Sequence, residues 1–264
     1  MRALLLCAGL GTRLRPLTEF LPKCLVPING RPLLDFWIDS LLSQGIEEIL
    51  INTHYHADLV EDYLKRSSWH MRVSLVYEER LLGTGGTLLA NRAFFEDKRT
   101  LLVHADNLTR FDCQHFKRYH DARPSTAALT MMLFRSPAPS TCGIVELGDN
   151  GIVQAFHEKV PNPPGNLANA AVYLLEPEVI TFMDKLGKTE IDFSTEVLPY
   201  FVGRMATCLN ESYHRDIGTI ASWQEAQKDF DMTPSSLYNQ AAWAEIEKKL
   251  GPSYQQLIAT LTGS

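Results

Sequence analysis

The stretch GLGTRLRPLT at residues 9–18 puts two glycines and two arginines in one short connection, and Lys23 follows ten residues after Arg13. Glycines let backbone amides approach a ligand closely, while arginine and lysine neutralise phosphate oxygens, so the segment suits a polyphosphate. It is not a P-loop, which needs GxxxxGK followed by Ser or Thr, and Leu14 stands where GxGxxG has its last glycine. A tight glycine turn with exposed basic residues is the competing reading. Arg13, Arg15 and Lys23 on one connection weigh against it.

A second candidate is Asp106, in the run HADN that follows the apolar residues 101–103. A carboxylate at the C-terminal end of a parallel strand lies where such sheets bind ligands. Magnesium takes one or two carboxylates together with substrate phosphates and water, and Asp216 in YHRDIGT is a candidate second ligand far along the chain. Each Asp taken alone also reads as a turn former or helix cap, and spacing does not pair them. Glu158 and Lys159 end an apolar-alternating stretch just before Pro161, where a solvated charge pair is the plainer reading. The cluster LGTGGT at residues 82–87 can accommodate a flat base or a sugar, or form a left-handed turn.

The elements that must position these groups read as strand and helix in alternation. Residues 3–7 are a continuous apolar run, as in a strand buried on both faces. Leu33, Leu34, Trp37, Ile38, Leu41 and Leu42 recur at helical spacing, and Gly45 closes that helix. Strands are expected over 48–52, 72–77 and 100–104, with helices over 56–66 and 87–95. That rhythm implies right-handed crossovers and a Rossmann-like, doubly wound, mostly parallel mixed sheet flanked by helices. Residues 126–134, 143–146, 152–158 and 169–175 read as further strands that add mixed or antiparallel pairing. Residues 194–203 read as a helix and 205–209 as a strand. Past Thr233, two amphipathic helices are expected, one carrying Leu237, Ala241, Ile246 and Leu250, the next Tyr254, Leu257, Ile258 and Leu261. The chain divides into a catalytic domain over residues 1–230 and a helical extension over 231–264.

With 45% hydrophobic and 21% charged residues, the 264-residue chain can bury a sizeable core. A net charge of -6 argues against nucleic acid as the main partner, because phosphate backbones call for concentrated Lys and Arg. The five cysteines include no CxxC pair, which fits a reduced, cytoplasmic protein with neither a disulfide framework nor structural zinc. The apolar N-terminus is too short for a signal peptide, and no stretch approaches the roughly 18 apolar residues of a membrane span. His54 and His56 read as loop or capping residues, His120 and His214 as surface residues, and the four tryptophans as packing residues.

Taken together, these segments resemble the sugar-1-phosphate nucleotidyltransferase family, which includes mannose-1-phosphate guanylyltransferases and glucose-1-phosphate thymidylyltransferases. The resemblance covers residues 1–226. It rests on GxGTRLxPLT with Pro22 and Lys23 behind it, then GTGG from Gly83, Asp106, Gly143, Glu158 with Lys159, Asn169 with Ala170, and DIGT from Asp216, all in order. The resemblance implies the nucleotide-diphospho-sugar transferase fold and the joining of a nucleoside triphosphate to a sugar 1-phosphate with release of pyrophosphate. It implies that Ala8, Gly9, Gly11, Thr12 and Arg13 wrap the triphosphate and that Lys23 bridges phosphates in the transition state. Glu79 and Gly83 would contact the base, and Asp106 and Asp216 would hold Mg2+. Gly143, Glu158 and Asn169 would bind sugar hydroxyls, and Lys159 the sugar phosphate.

Departures from the pattern are Cys24 in place of proline, Cys142 in place of an aromatic, and Ala171 in place of glycine in an Asn-Ala-Gly triplet. A carboxylate at Glu79 accepts from guanine N1 and N2 hydrogens, which favours GTP with mannose or manno-heptose 1-phosphate. Uridylyl or thymidylyl transfer to another hexose 1-phosphate, and transfer to a non-sugar phosphate, are the alternatives. A silent regulatory subunit predicts loss of Arg13, Lys23 or one carboxylate, and all are present. The stretch past Ala226 is expected to be too short for a left-handed β-helix. A homodimer is compatible with the sequence; neither nucleic acid nor membrane is an expected partner.

Overall fold

The structure, a computed structural model, describes residues 1–96, 98–231 and 239–263. In chain order its elements are β1 (Arg2–Leu6), α1 (Leu17–Phe20), β2 (Pro27–Ile28), β3 (Arg31–Pro32), α2 (Leu33–Ser43), β4 (Ile49–Thr53), α3 (Ala57–Arg66) and β5 (Val73–Tyr77). Next come α4 (Gly83–Ala90), α5 (Arg92–Phe95), β6 (Thr100–His104), β7 (Asn107–Thr109), α6 (Cys113–Asp121), β8 (Leu129–Arg135), β9 (Gly143–Leu147) and β10 (Val153–Glu158). The last are β11 (Leu167–Leu175), α7 (Pro177–Lys185), β12 (Met205–Leu209), β13 (His214–Asp216), α8 (Ile220–Asp229) and α9 (Gln240–Thr262). Nine of these strands form one mixed, mostly parallel sheet with helices about it. No helix among the described residues is long and apolar enough to cross a membrane.

The chain groups into two units. The first comprises Met1–Leu4, Arg80–Val103 and Phe111–Ser212. Its strand directions show why the sheet is mixed. β11 runs antiparallel to β6, β8 and β9, so those three share one direction. β12 joins them by pairing parallel with β8, while β10 opposes β9. One inverted strand, β11, therefore makes most of the antiparallel ladders. The second unit comprises Leu5–Glu79, His104–Arg110 and Tyr213–Ser264. There β4 and β5 pair parallel, and β7 pairs antiparallel with β13 in a separate ribbon. The expected apolar face of α2 is buried throughout, from Leu33 to Leu42.

Several elements differ from expectation for identifiable reasons. The helix expected over 87–95 begins four residues earlier at Gly83 and is broken at Asn91 into α4 and α5. Residues 194–203 are not an α-helix. A wide turn over Phe193–Val197 passes into a 3-10 turn over Leu198–Phe201, where Pro199 has no N–H to give. The two expected C-terminal helices are pieces of α9, separated by Gly251 at φ 79° and Pro252; the expected start near Thr233 and Leu237 lie outside the described residues. His120, expected at the surface, is wholly buried on α6. Its Nε2 faces Glu176 Oε1 at 3.3 Å and its Nδ1 faces Thr130 Oγ1 at 2.8 Å. Desolvation and the Arg123 charge push its pKa down to about 4 against the pull of Glu176, so the ring is neutral. His214, on β13, is half-buried and is likewise pushed down to about 4 by desolvation. All four tryptophans are buried, as the packing reading expects.

Candidate functional site

In the second unit the loop after β1 is shaped by Gly11, whose φ of +62° is a left-handed conformation that costs a side chain. A Cβ on Gly11 would come within 2.8 Å of Thr18 Cγ2 and 3.3 Å of Lys23 Cβ. Thr18 Oγ1 donates to the Gly11 carbonyl at 2.8 Å, folding the loop back on itself. A Cβ on Gly9 would meet nothing within 4 Å, so the backbone there is open to a close ligand. Thr12 and Arg13 project outward from a short 3-10 turn, and Ala8 is buried beneath.

Lys23 lies inside this loop with only 9% of its side chain exposed. Its Nζ donates to Asp106 Oδ2 at 2.8 Å and to Asp216 Oδ1 at 3.2 Å. Burial alone would push the ammonium down, but the two carboxylates outweigh it and keep Lys23 protonated. For Asp106, burial pushes the carboxyl up; the Lys23 charge, helped by His104 and the Lys23 hydrogen bond, holds it at about 2. Arg13 stands 4.0 Å from Asp216 Oδ2. A Cβ on Gly218 would sit 2.6 Å from Asp216 Oδ2 and 3.2 Å from the Arg13 guanidinium, so this glycine leaves room for both.

Asp106 and Asp216, far apart along the chain, meet because of the ribbon. β7 and β13 place Asn107 opposite Asp216, and the Ile217 N–H donates to the Asp106 carbonyl at 3.2 Å. Neither strand exceeds three residues, which is too short for a period-2 pattern to show. The sequence reading also missed a polar support behind the loop. Asn52 Oδ1 accepts from the Cys7 N–H at 2.8 Å, and Asn52 Nδ2 donates to the buried Glu78 at 3.1 Å. Glu79, its neighbour, is exposed.

In the first unit, Gly143, Glu158 and Lys159 come together. Gly143 and Glu158 face each other across β9 and β10, and a Cβ on Gly143 would lie 2.6 Å from Glu158 Oε2. Adjacent residues in a strand normally point to opposite faces. Lys159 escapes that rule because its φ is 50°, turning the chain right after β10 so that its Nζ reaches Glu158 Oε1 at 3.1 Å. Asn169 is engaged within β11: its Oδ1 accepts from the Ala171 N–H at 2.9 Å and its Nδ2 donates to the Tyr173 hydroxyl at 2.6 Å. Tyr173 is fully buried, and its pKa is pushed up by desolvation and by the Glu158 charge against the Asn169 hydrogen bond. The glycines of α4 are used internally. A Cβ on Gly83 would press on Ile191 O at 2.5 Å, and one on Gly86 on Thr189 O at 2.3 Å.

Ala171 has a φ of 55°, in the bulge where β11 slips register against β8. The left-handed conformation costs a non-glycine residue about 1–2 kcal/mol, and glycine returns roughly 0.4–1 kcal/mol of that through the freer unfolded chain. Ala171→Gly is therefore expected to raise unfolding free energy by about 0.5 kcal/mol, read from urea denaturation. A loss of more than about 1 kcal/mol would mean that the Ala171 methyl packs productively.

Comparison with known proteins bears on this arrangement. Residues 2–232 match the family model described as nucleotidyl transferase. The mannose-1-phosphate guanylyltransferase of Mycobacterium tuberculosis is 30% identical over 233 residues, 86% of this chain and 64% of that protein. This chain thus spans a little under two thirds of that relative. The D-glycero-alpha-D-manno-heptose 1-phosphate guanylyltransferase of Campylobacter jejuni is 28% identical over 219 residues, 83% of this chain and 95% of that one. Among solved structures, HddC from Yersinia pseudotuberculosis complexed with GMP-PN superposes with a TM-score of 0.73 at 23% identity, covering 87% of this chain and 99% of that one. That superposition shows the shared fold. Because the match to the family model begins at the second residue and runs past α8, taking in both units, this chain belongs to the nucleotidyl transferase family.

Proposed function

We propose that the chain joins a nucleoside triphosphate to a sugar 1-phosphate and releases pyrophosphate, with GTP and mannose or manno-heptose 1-phosphate as preferred substrates. The observation that carries this reading is Lys23 held between Asp106 and Asp216 behind a glycine-opened, arginine-bearing loop. The names of the guanylyltransferase relatives support the choice of base and sugar.

The residues fit magnesium. Asp106 and Asp216 offer hard oxygen donors within reach of one ammonium nitrogen, hence of one cation. The low pKa of Asp106 keeps it ionised at any working pH. Among the described residues no group of three or more His, Cys, Asp or Glu side chains is arranged for a metal, which suits an ion that takes its remaining ligands from phosphates and water. Bound Mg2+ would supply charge neutralisation at the phosphates. Amides of residues 8–13 and Arg13 hold the triphosphate, and Lys23 neutralises charge that develops on it. Glu79 contacts the base. In the first unit Lys159 holds the sugar phosphate, while Gly143, Glu158 and Asn169 line the sugar. The attacking sugar phosphate oxygen is already anionic at neutral pH, so no general base is needed, and positioning dominates. The five cysteines are all free thiols, which suits a cytoplasmic setting.

The test is pyrophosphate release across four nucleotides and a panel of sugar 1-phosphates in Mg2+. GTP with a manno-configured sugar should give the highest kcat/KM, and no release from any pair would reject the proposal. The joined Glu158 and Lys159 add a finer expectation. Lys159→Ala should weaken all sugar 1-phosphates alike, because it meets the phosphate they share. Glu158→Gln should reorder them, since a buried hydroxyl partner lost costs roughly 1–3 kcal/mol and differs with stereochemistry. Equal losses across three sugars for Glu158→Gln would move the sugar site elsewhere.

A further inference from the structure

Two buried indoles touch the backbone beside the charged residues of the second unit. Trp37, on α2 and 1% exposed, donates its Nε1–H to the Asn107 carbonyl at 2.8 Å. Asn107 follows Asp106 directly and is the ribbon residue opposite Asp216. Trp223, on α8 and also 1% exposed, donates its Nε1–H to the Pro27 carbonyl at 2.8 Å. Gln227, one turn along α8, gives a second 2.8 Å bond to the same carbonyl and accepts from the Asn29 N–H. Pro27 begins β2, just after the short turn Lys23–Leu25 that carries the ammonium. α8 starts four residues after Asp216, and its first turn is fixed by a capping box between Thr219 and Ser222.

We propose that the indole N–H groups of Trp37 and Trp223 are positioning donors that fix Asp106, Asp216 and Lys23 relative to one another. The inference rests on the proposed metal-dependent transfer. Trp37 ties the ribbon, and with it both carboxylates, to α2. Trp223 ties the helix that follows Asp216 to the strand that follows Lys23. Burial of an aromatic ring does not require an indole, since phenylalanine would fill most of the same space without an N–H to satisfy. Trp69 provides the internal contrast: it is as deeply buried, yet its Nε1 has no hydrogen-bond partner among the described residues. A buried indole in this protein is therefore tolerated without a bond, as Trp69 shows, whereas the bonded Trp37 and Trp223 flank the charged triad.

The experiment compares Trp37→Phe, Trp223→Phe and the control Trp69→Phe. The first readout is Mn2+ affinity of the substrate-free protein, from the electron paramagnetic resonance signal of free Mn2+. The second is kcat and KM for nucleotide. Partners that orient metal ligands typically change affinity or activity by about 10–100-fold. Trp37→Phe should weaken Mn2+ binding and Trp37→Phe and Trp223→Phe should each lower kcat by about 10-fold with KM nearly unchanged, while Trp69→Phe matches wild type. Benzothienylalanine at position 37, which keeps the bicyclic shape and lacks only the N–H, should behave as Trp37→Phe does even if phenylalanine disturbs folding. Wild-type Mn2+ affinity and kcat in the benzothienylalanine protein, or equal losses in the Trp69 control, overturn the inference while leaving the proposed function standing. A wild-type protein that neither binds Mn2+ nor turns over removes both.

Discussion

Asp106→Asn should lower kcat by at least about two orders of magnitude while the protein stays folded, the size expected for loss of a principal electrostatic stabiliser. The substitution keeps the shape of the side chain and removes its charge. In the native site that charge is strongly favoured, because Lys23 sits 2.8 Å away and holds the carboxyl at about 2. With Asn, Lys23 retains Asp216 at 3.2 Å as its counter-ion, so the buried ammonium is not stranded and the fold should survive. A cation, by contrast, would be left with one carboxylate where two converge. The measurement is kcat in saturating Mg2+, alongside a thermal midpoint to exclude unfolding. More than about a tenth of the wild-type rate in a folded variant would remove Asp106 from the metal site.

How much of this was legible in the sequence depended on the length of the signal. The apolar run of β1 and the six apolar positions of α2, all of them buried, follow directly from their periods, because each spans enough residues for the pattern to repeat. The ribbon that brings Asp106 to Asp216 was invisible for the opposite reason, and only the family resemblance paired the two. α6 and α7 were also missed. α6 is so polar that only Cys113, Phe116 and His120 are buried, and His120 was assigned to the surface. Glycine was ambiguous throughout. Gly11 serves a left-handed turn, Gly143 leaves space for Glu158, and Gly83 and Gly86 let residues 189–191 press against α4. One residue type answers to three different causes, and only the neighbours decide among them. The bend that joins Lys159 to Glu158 was foreseeable from Pro161 and its neighbours, since a proline-rich stretch cannot continue a strand.

Lys23→Ala should have the second large effect, again a loss of at least about two orders of magnitude in kcat, but with a distinguishing companion. Lys23 contributes a positive charge that burial opposes and two carboxylates retain. Removing it leaves Asp106 and Asp216, with side chains 44% and 51% exposed, facing each other without the ammonium between them, and Arg13, 4.0 Å from Asp216 Oδ2, touches that one carboxylate from outside the gap. Like charges brought together raise the free energy of the ionised pair, and any divalent cation that bridges them relieves it. The variant should therefore be less stable than wild type in chelator, recover more of its thermal midpoint on adding Mn2+ than wild type does, and bind Mn2+ more tightly. Turnover should nevertheless stay low, because the metal replaces the charge between the carboxylates and not the ammonium aimed at phosphate. This pairing separates the role proposed for Lys23 from that of a simple structural counter-ion. A structural counter-ion would lose stability in chelator just as Lys23→Ala should, but added metal would then restore the rate together with the fold. Recovery of more than about a tenth of wild-type kcat in saturating Mn2+ would place Lys23 outside the reaction and confine it to holding Asp106 and Asp216 apart.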